Sequence, residues 1–451
     1  MKQPRYRKQG GDAYMRIFLF FFAWKLLLIG LALITPSPAY DTSTSLILGT
    51  NKTGSRSTLI ENLCVKLTRW DAIYFVKAAE RGYVNEQEWA FGWGYVQVVS
   101  GLEKVLSSIG ITFRLQPPYL HALSGIFISN ISHLLSTLVL YKSTLLVFET
   151  PAGSAEKMAF ITACLHVVSP AGLFLSAPYS ESLFSLLSFT GSFLYIWSGR
   201  ELEAGNMFQS NTAALASAII FSLSCMVRSN GLLNGILFLH DFILQIHSVI
   251  TGANGKSNTL FSRLFRIGIL GAGGLTIALG LALPQAIAWR DYCTAGSNRP
   301  WCSNIPPSIY FYVQDYYWDV GMFRYWTLPN VPLFLLAAPM LTLMIVSGVW
   351  GIGIKNTAGT QSIDFDKTLL RKLAFPQLLL AVMAIVTYHV QIITRISSGY
   401  MVWYWWVAYK MSAGRAAEEV KGKDWTKFVV RYMVLYGIIQ GVLFAGFLPP
   451  A

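Results

Sequence analysis

The chain has 451 residues, of which 54% are hydrophobic and only 13% are charged, and its mean hydropathy is +0.47. Soluble domains carry about 25% charged residues, so this composition excludes a soluble protein and indicates a polytopic membrane protein. The net charge of +13 comes from lysines and arginines in short loops between apolar segments, which is the positive-inside pattern and not a nucleic-acid-binding face. We therefore expect one all-α integral membrane domain over residues 1–451 and no nucleic-acid partner.

Apolar segments of membrane length predict about eleven transmembrane helices. The first, over 17–34, follows a basic N-terminus and is longer than the apolar core of a signal peptide, so we expect a retained helix with a cytosolic N-terminus. With eleven spans, the three most basic later loops all fall on the cytosolic side, as the positive-inside rule requires. The other ten predicted spans lie at 119–141, 158–177, 182–199, 211–227, 231–250, 266–287, 332–353, 373–394, 400–411 and 428–447.

Two large loops, 36–118 and 288–331, are then predicted to be luminal. The first contains a glycosylation sequon, Asn51-Lys52-Thr53, which is usable only on that side of the membrane. The second contains Cys293 and Cys302, whose pairing would suit an oxidising compartment, although the sequence leaves that pairing open. Apolar residues at nearly helical spacing over 59–82 predict a helix that lies along the membrane surface.

Asp71, within Arg69-Trp70-Asp71, is the strongest catalytic candidate. A carboxylate close to a bilayer is costly to keep ionised, so its presence there indicates a function. An aromatic run from Trp89 to Tyr95 follows, and we expect its glycines to let a sugar or lipid headgroup approach closely. Further polar side chains lie where other predicted helices reach the same face: Glu88, Tyr179, Glu181, Arg228, Asn230, Gln314, Arg324, His389, Gln391 and Arg395.

Structural explanations stay open for several of these side chains. Arg228 and Arg395 are as well explained as anchors that extend to the lipid headgroups. His389 is more often a packing residue than a catalyst, and Glu181 suits a helix N-terminus, where a negative charge is stabilised. What favours a site is that acid, amide and cationic groups from separate segments converge on one face of the membrane.

Motifs for several other chemistries are missing from the sequence. There is no Walker A, His-Glu-x-x-His or Gly-x-Ser-x-Gly motif, which disfavours ATP-driven transport and the common hydrolase and zinc designs. The Asp-x-Asp form of metal-dependent sugar-nucleotide enzymes occurs only at Asp364-Phe365-Asp366, in a predicted cytosolic loop. This argues against a metal-dependent sugar-nucleotide enzyme and fits a lipid-phosphate sugar donor, which would need no metal and no cofactor under the mechanism that the family resemblance below implies.

Two classes of protein that are not enzymes are alternatives to this interpretation. A lipid transporter or scramblase would favour inverted repeats and charges at mid-depth, whereas no such repeat is seen and the polar clusters lie at one face. A non-catalytic assembly subunit would explain the helices and aromatic loops but not the convergence of an acid with several cations.

Six blocks of residues along the chain carry a resemblance to a known family. They are Arg69-Trp70-Asp71-Ala72-Ile73-Tyr74-Phe75, Gly82-Tyr83, Glu88-Trp89-Ala90-Phe91, Ser169-Pro170-Ala171 to Ser182, Arg228-Ser229-Asn230-Gly231 and Tyr317-Trp318 to Trp326. These blocks resemble the PIG-V family, the GPI mannosyltransferases II, and the chain looks like a fungal member. The likeness keeps the same order over nearly the whole length and is most distinctive around Asp71 and around 170–182.

The resemblance implies a GT-C-type glycosyltransferase of the endoplasmic reticulum membrane with a luminal active site. It implies transfer of mannose from dolichol-phosphate-mannose to the first mannose of a GPI precursor lipid, forming the second, α-1,6-linked mannose with inversion. Another glycosyltransferase that uses a polyprenyl-phosphate sugar stays the nearest alternative. The sequence leaves open whether a small membrane partner subunit is needed.

By analogy with GT-C enzymes, Asp71 is the base that takes the proton from the attacking hydroxyl. The donor phosphate needs cations, for which Arg228, Arg324, His389 and Arg395 are unranked candidates. The remaining predicted substrate-binding residues are Arg69, Trp70, Glu88, Tyr179, Glu181, Asn230, Gln314 and Gln391.

Overall fold

The structure is a computed structural model that describes residues 10–36, 38–49, 58–113, 115–149, 154–252, 259–294, 299–353, 364–413 and 425–449. The predicted sequon Asn51-Lys52-Thr53 lies outside the described residues. The first nine α-helices are α1 (Gly10–Ile34), α2 (Ser43–Leu48), α3 (Leu59–Leu67), α4 (Ala72–Arg81), α5 (Trp93–Ser108), α6 (Pro117–Val147), α7 (Ser154–Val167), α8 (Glu181–Glu203) and α9 (Met207–Val227). The others are α10 (Gly235–Ile250), α11 (Leu260–Cys293), α12 (Ile309–Tyr316), α13 (Val331–Gly353), α14 (Lys367–Val386), α15 (Ile393–Ile396), α16 (Val402–Ala413) and α17 (Trp425–Ala445).

Short elements complete the described fold. Two-residue strands, β1 (Phe148–Glu149) and β2 (Asp364–Phe365), pair in antiparallel orientation and join the end of α6 to the start of α14. Turns of 3₁₀-helix occur at Glu86–Ala90, Gly172–Leu175, Ser229–Asn234, Pro300–Ser303, Leu328–Asn330, Val390–Ile392 and Ser397–Gly399.

Each of the eleven predicted spans overlaps a helix, but the span 158–177 runs past the end of α7 at Val167 and the span 373–394 runs past the end of α14 at Val386. Among the described residues, eight helical segments are long and apolar enough to cross a membrane: those containing α1, α6, α9, α10, α11, α13, α14 and α17. The other three predicted spans correspond to α7, α8 and α16. Of these, α7 and α16 have only 14 and 12 residues. The predicted polytopic all-helical class is therefore confirmed, although the number of crossings is not.

The central helices approach closely through small residues. Helix α8 packs against both α6 and α9. A Cβ added at Gly191 of α8 would lie 2.6 Å from the Phe221 ring, so only glycine fits there. The Ser217 hydroxyl donates to the Gly191 carbonyl at 2.8 Å, which satisfies both polar groups inside the bundle. Small residues and internal hydrogen bonds are how helices associate where water is excluded.

The helix predicted over 59–82 is interrupted. A capping box between Thr58 and Glu61 starts α3, which ends at Leu67, and α4 begins only at Ala72. Trp70 between them has φ of 54°, which an α-helix cannot contain. The break places Asp71 at the start of a new helix instead of in the middle of a long one.

The two large loops are docked on each other. A disulfide joins Cys293, at the end of α11, to Cys302 in the second loop. The neighbouring Trp301 is fully buried, and its indole N–H donates to the Glu86 carboxylate of the first loop at 2.9 Å. Tyr317 donates to the same carboxylate at 3.3 Å. Together the loops cover one end of the helix bundle, where a cavity lies.

Candidate active site

The cavity has a volume of about 430 Å³ and lies between the two docked loops and the ends of several helices. Its walls come from α4, the Glu86–Ala90 turn, the end of α9, α11, α12 and the segment after α14. Separate parts of the chain thus meet at one site, as predicted. The predicted site residues that line it are Asp71, Tyr179, Glu181, Arg228, Asn230, Gln314, His389 and Arg395.

Asp71 forms an ion pair with Arg395 inside this cavity. The Arg395 Nη2 donates to Asp71 Oδ2 at 2.8 Å. The guanidinium lies 5.0 Å from the Phe174 ring centroid and 5.5 Å from that of Tyr179, so aromatic faces hold it from behind. Burial lowers the Arg395 pKa, but Asp71 and Glu181 outweigh burial and hold the pKa above its ordinary value. Arg395 is therefore a permanent cation beside the candidate base.

Glu181 extends this pair into a chain of alternating charges. Its buried Oε1 accepts from Arg228 Nη1 at 2.8 Å and lies 3.4 Å from Arg395 Nε. The Ser180 hydroxyl also accepts from Arg228 at 3.0 Å. The four side chains contact one another in the order Asp71, Arg395, Glu181 and Arg228. Their two carboxylates and two guanidinium groups balance in charge. An anionic phosphate entering the cavity would find two arginines already in place.

Asp71 is aimed by the tight turn before α4. The Arg69 carbonyl accepts from the Ala72 N–H and from the Tyr179 hydroxyl, both at 3.1 Å. Between them, Trp70 adopts the left-handed backbone region, which costs a residue other than glycine about 1–2 kcal/mol. Such conformations persist only where surrounding contacts impose them.

Arg69 and Trp70 do not line the cavity, in contrast to the prediction that they bind substrate. The Arg69 side chain is only 2% exposed, and its guanidinium lies 5.2 Å from the Phe447 ring centroid. Burial lowers the Arg69 pKa to about 10. The Trp70 ring packs on the same phenylalanine. Both side chains pack on the side of the turn that faces away from the cavity. The chain reverses at Trp70, so Asp71 faces the cavity and the two residues before it do not.

Glu88, Arg324 and Gln391 also lie outside the cavity lining. The buried Glu88 carboxylate accepts from Arg81 at 2.6 Å and from the Val84 N–H at 2.8 Å, so its partners belong to its own loop. Gln391 accepts from the Tyr325 hydroxyl at 3.0 Å.

Arg324 is half exposed and pairs with two acidic residues of the second loop, Asp315 and Asp319. Because these carboxylates engage the guanidinium on the surface, Arg324 is the weakest of the predicted phosphate-binding cations.

His389 lines the cavity but has packing partners of its own. Its ring stacks on Tyr325 with centroids 4.7 Å apart, and Nε2 lies 3.1 Å from the Trp318 carbonyl. These contacts fit the packing alternative better than a phosphate-binding role. Asn230, by contrast, accepts from Arg228 Nε at 3.3 Å and donates to the Tyr400 hydroxyl, so it orients Arg228.

Gln285 and Tyr310 are cavity residues that were not predicted. The Gln285 Oε1 accepts from the Ser308 hydroxyl at 2.9 Å and from the Tyr310 N–H at 3.1 Å, which fixes α12 against α11. Ser229 donates to the Tyr310 hydroxyl at 2.7 Å. The signal in the sequence was an amide directly after Pro284 in an otherwise apolar span.

The aromatic run after Glu88 differs from its prediction in one respect. A Cβ added at Gly92 would lie 1.7 Å from the Val227 carbonyl oxygen, and one at Gly94 would lie 3.0 Å from Met226. These glycines therefore admit the backbone at the end of α9, and Gly92 also lines the cavity. The close approach holds the aromatic run against the end of the helix that Arg228 follows.

The family model described as mannosyltransferase (PIG-V) matches residues 14–451. The chain belongs to the PIG-V mannosyltransferase family. This membership confirms the family predicted from the sequence, whereas the GT-C-type class of fold stays a prediction.

Relatives of this PIG-V family member extend along most of the chain. A GPI mannosyltransferase 2 of Aspergillus oryzae is 42% identical over 442 residues, which cover 96% of this chain and 95% of the relative. One of Chaetomium globosum is 41% identical and covers 97% and 96%. A GPI alpha-1,6-mannosyltransferase 2 of Rattus norvegicus is 30% identical over 400 residues, covering 79% and 75%. Among solved structures, the Archaeoglobus fulgidus oligosaccharyltransferase has a TM-score of 0.41 at 14% identity, covering 93% of this chain and 53% of that one.

Proposed function

We propose that this PIG-V family member transfers mannose from dolichol-phosphate-mannose to the first mannose of a GPI precursor, forming the second, α-1,6-linked mannose. The observation that carries the proposal is the Asp71–Arg395 pair, with Arg228 close by, in one cavity of a mannosyltransferase-family chain. The names of the relatives, GPI mannosyltransferase 2 and GPI alpha-1,6-mannosyltransferase 2, support the acceptor and the linkage.

The four charged groups suit an inverting transfer. Asp71 takes the proton of the acceptor hydroxyl as its oxygen bonds to C1 of the donor mannose. The bond from C1 to the phosphate oxygen breaks on the opposite face, and its electron pair leaves with the dolichyl phosphate. Arg395 and Arg228 stabilise the charge that develops on that phosphate. A phosphate is a good leaving group, so the scheme uses no acid catalyst, metal or cofactor.

The proposed location is the endoplasmic reticulum membrane, with the N-terminus cytosolic and the cavity luminal. The cavity lies under the loops that the positive-inside pattern assigns to the lumen. The Cys293–Cys302 disulfide in one of these loops supports an oxidising compartment.

The direct test supplies labelled dolichol-phosphate-mannose to microsomes that lack the endogenous enzyme and express this chain. A precursor with one mannose is expected to gain a second that an α-1,6-specific mannosidase removes. Microsomes without the expressed chain are the matched control, and their precursor with one mannose should stay unchanged. Transfer only to a different lipid acceptor would favour the alternative glycosyltransferase, and no transfer to any acceptor would contradict the proposal. Repeating the assay with purified protein asks whether a partner is required.

A further inference from the structure

The turn after α17 packs against Arg69 and Trp70, the two residues that precede Asp71. The Phe447 ring is 5% exposed, and its centroid lies 5.2 Å from that of Trp70 and 5.2 Å from the Arg69 guanidinium. One side chain, far along the chain, thus contacts both residues that precede Asp71. Phe447 does not line the cavity, so it does not touch substrate there.

The Trp70 side chain is held mainly by packing against neighbouring side chains. Its indole N–H is buried and has no hydrogen-bond partner among the described residues. A tryptophan does not favour the left-handed backbone region, so its φ of 54° must be imposed by neighbours. Phe447 is the aromatic ring that packs against the indole on this side.

Phe447 itself is held firmly. It ends the turn after α17 with φ of 61°, and its N–H donates to the Phe444 carbonyl at 3.0 Å. The Leu448 N–H donates to the Leu443 carbonyl at 2.8 Å, and the Tyr40 N–H donates to the Gly446 carbonyl at 3.0 Å. These bonds fix the turn to α17 on one side and to the first loop on the other. The ring is therefore a rigid support and not a mobile tail.

We propose that Phe447 is a positioning residue for Asp71: its ring keeps Trp70 in the left-handed conformation that aims the Asp71 carboxylate at Arg395 and the cavity. The inference rests on the proposed function, because it gives Asp71 the role of base. If the ring is removed, Trp70 relaxes towards an ordinary φ and the Asp71 carboxylate turns away from the acceptor hydroxyl. Arg395 and Arg228 stay in place, so donor binding is retained while the chemical step slows.

The test measures kcat and the donor KM of the full chain in wild-type form and in variants of this contact. Phe447→Ala is expected to lower kcat about tenfold and leave the donor KM within about twofold. Phe447→Tyr keeps the ring and should retain kcat. Leu448→Ala, at the neighbouring half-exposed position, is the matched control and should behave as wild type.

A double-mutant cycle separates positioning from a general structural role. Trp70→Gly removes the side chain that Phe447 supports, so adding Phe447→Ala to it should cause little further loss of kcat. Independent losses that multiply, or a Phe447→Ala enzyme with wild-type kcat, would overturn the inference. Should Phe447→Ala fail to accumulate, Phe447→Leu carries the same test. An inactive wild type would contradict the proposed function instead, so the two failures are distinguishable.

Discussion

Asp71 and Arg395 are 324 residues apart in the sequence, and their side chains are joined by a hydrogen bond of 2.8 Å. The candidate base is thus in direct contact with a candidate phosphate-binding cation. Arg395 also lies 3.4 Å from Glu181, which in turn binds Arg228. The candidate base and the two candidate phosphate-binding arginines therefore belong to one connected group of charges.

Replacing Arg395 should damage both substrate binding and rate. Arg395→Met is expected to lower kcat/KM for the lipid donor by about 10²–10³-fold, the typical loss for one donor to a developing anion. Arg395→Lys keeps the charge but not the planar fork, so an intermediate loss is expected. Steady-state transfer assays at varied donor concentration give both values.

Arg324→Met is the matched control for that experiment. Arg324 was also predicted to bind the donor phosphate, but it pairs with Asp315 and Asp319 outside the cavity. Its replacement should change kcat/KM by less than about threefold, since exposed ion pairs contribute little. Equal losses in the two variants would mean that the cavity has been assigned to the wrong cations.

Glu88 should make the stability of the first loop depend on pH. Burial raises the Glu88 pKa, but hydrogen bonds from the Val84 and Asn85 N–H groups and from Arg81 outweigh it and hold the pKa below its ordinary value of 4.5. The carboxylate therefore stabilises the fold fully above about pH 4.5, and this contribution is lost as the pH falls through the lowered pKa.

The Glu88→Gln variant tests this contribution. We expect it to lose about 1–3 kcal/mol at pH 7, seen as a lower melting temperature in detergent. The difference from wild type should shrink as the pH falls below about 4.5. Glu80→Gln removes a partly exposed pair with Lys77 and should shift the melting temperature much less. A difference in melting temperature between Glu88→Gln and wild type that is the same at every pH would show that the ionised Glu88 carboxylate does not stabilise the fold.

Gly92 should tolerate no side chain. Gly92→Ala would place a Cβ 1.7 Å from the Val227 carbonyl oxygen, so the first loop must separate from the end of α9, next to Arg228. We expect a strong loss of both thermal stability and mannose transfer. Gly101→Ala is the control, because nothing lies within 4 Å of its Cβ and it sits in α5. Alanine is favoured over glycine in a helix by about 1 kcal/mol, so this variant should be as stable as wild type or more so.

The helices followed from the sequence because membrane spans are a local property. In long apolar helices such as α6 and α11, the backbone N–H and C=O groups form their hydrogen bonds within the same segment. The break between α3 and α4 was not predicted, since apolar spacing continues through Trp70 and only packing against Phe447 reveals the turn. Local periodicity cannot report a contact with a residue so distant in the sequence.

The site was predictable as a set of segments but not as a geometry. Asp71, Glu181, Arg228 and Arg395 were all candidates because polar groups at membrane-facing helix ends are costly without a role. The sequence could not rank Arg395 above Arg324, because both are arginines near predicted luminal helix ends. Their difference arises from tertiary partners: a buried aromatic and acidic cage for one, and exposed aspartates for the other.

Mannose transfer by the Asp71→Asn variant tests the central claim most directly. Asparagine keeps the size of the side chain, and its amide oxygen can still accept a hydrogen bond from Arg395. It cannot take the proton of the acceptor hydroxyl, so the variant lacks the base. At matched expression and saturating dolichol-phosphate-mannose, we expect a rate of transfer about 10²–10⁴-fold below wild type, with retained donor binding. A variant that transfers mannose at the wild-type rate would show that Asp71 is not the base.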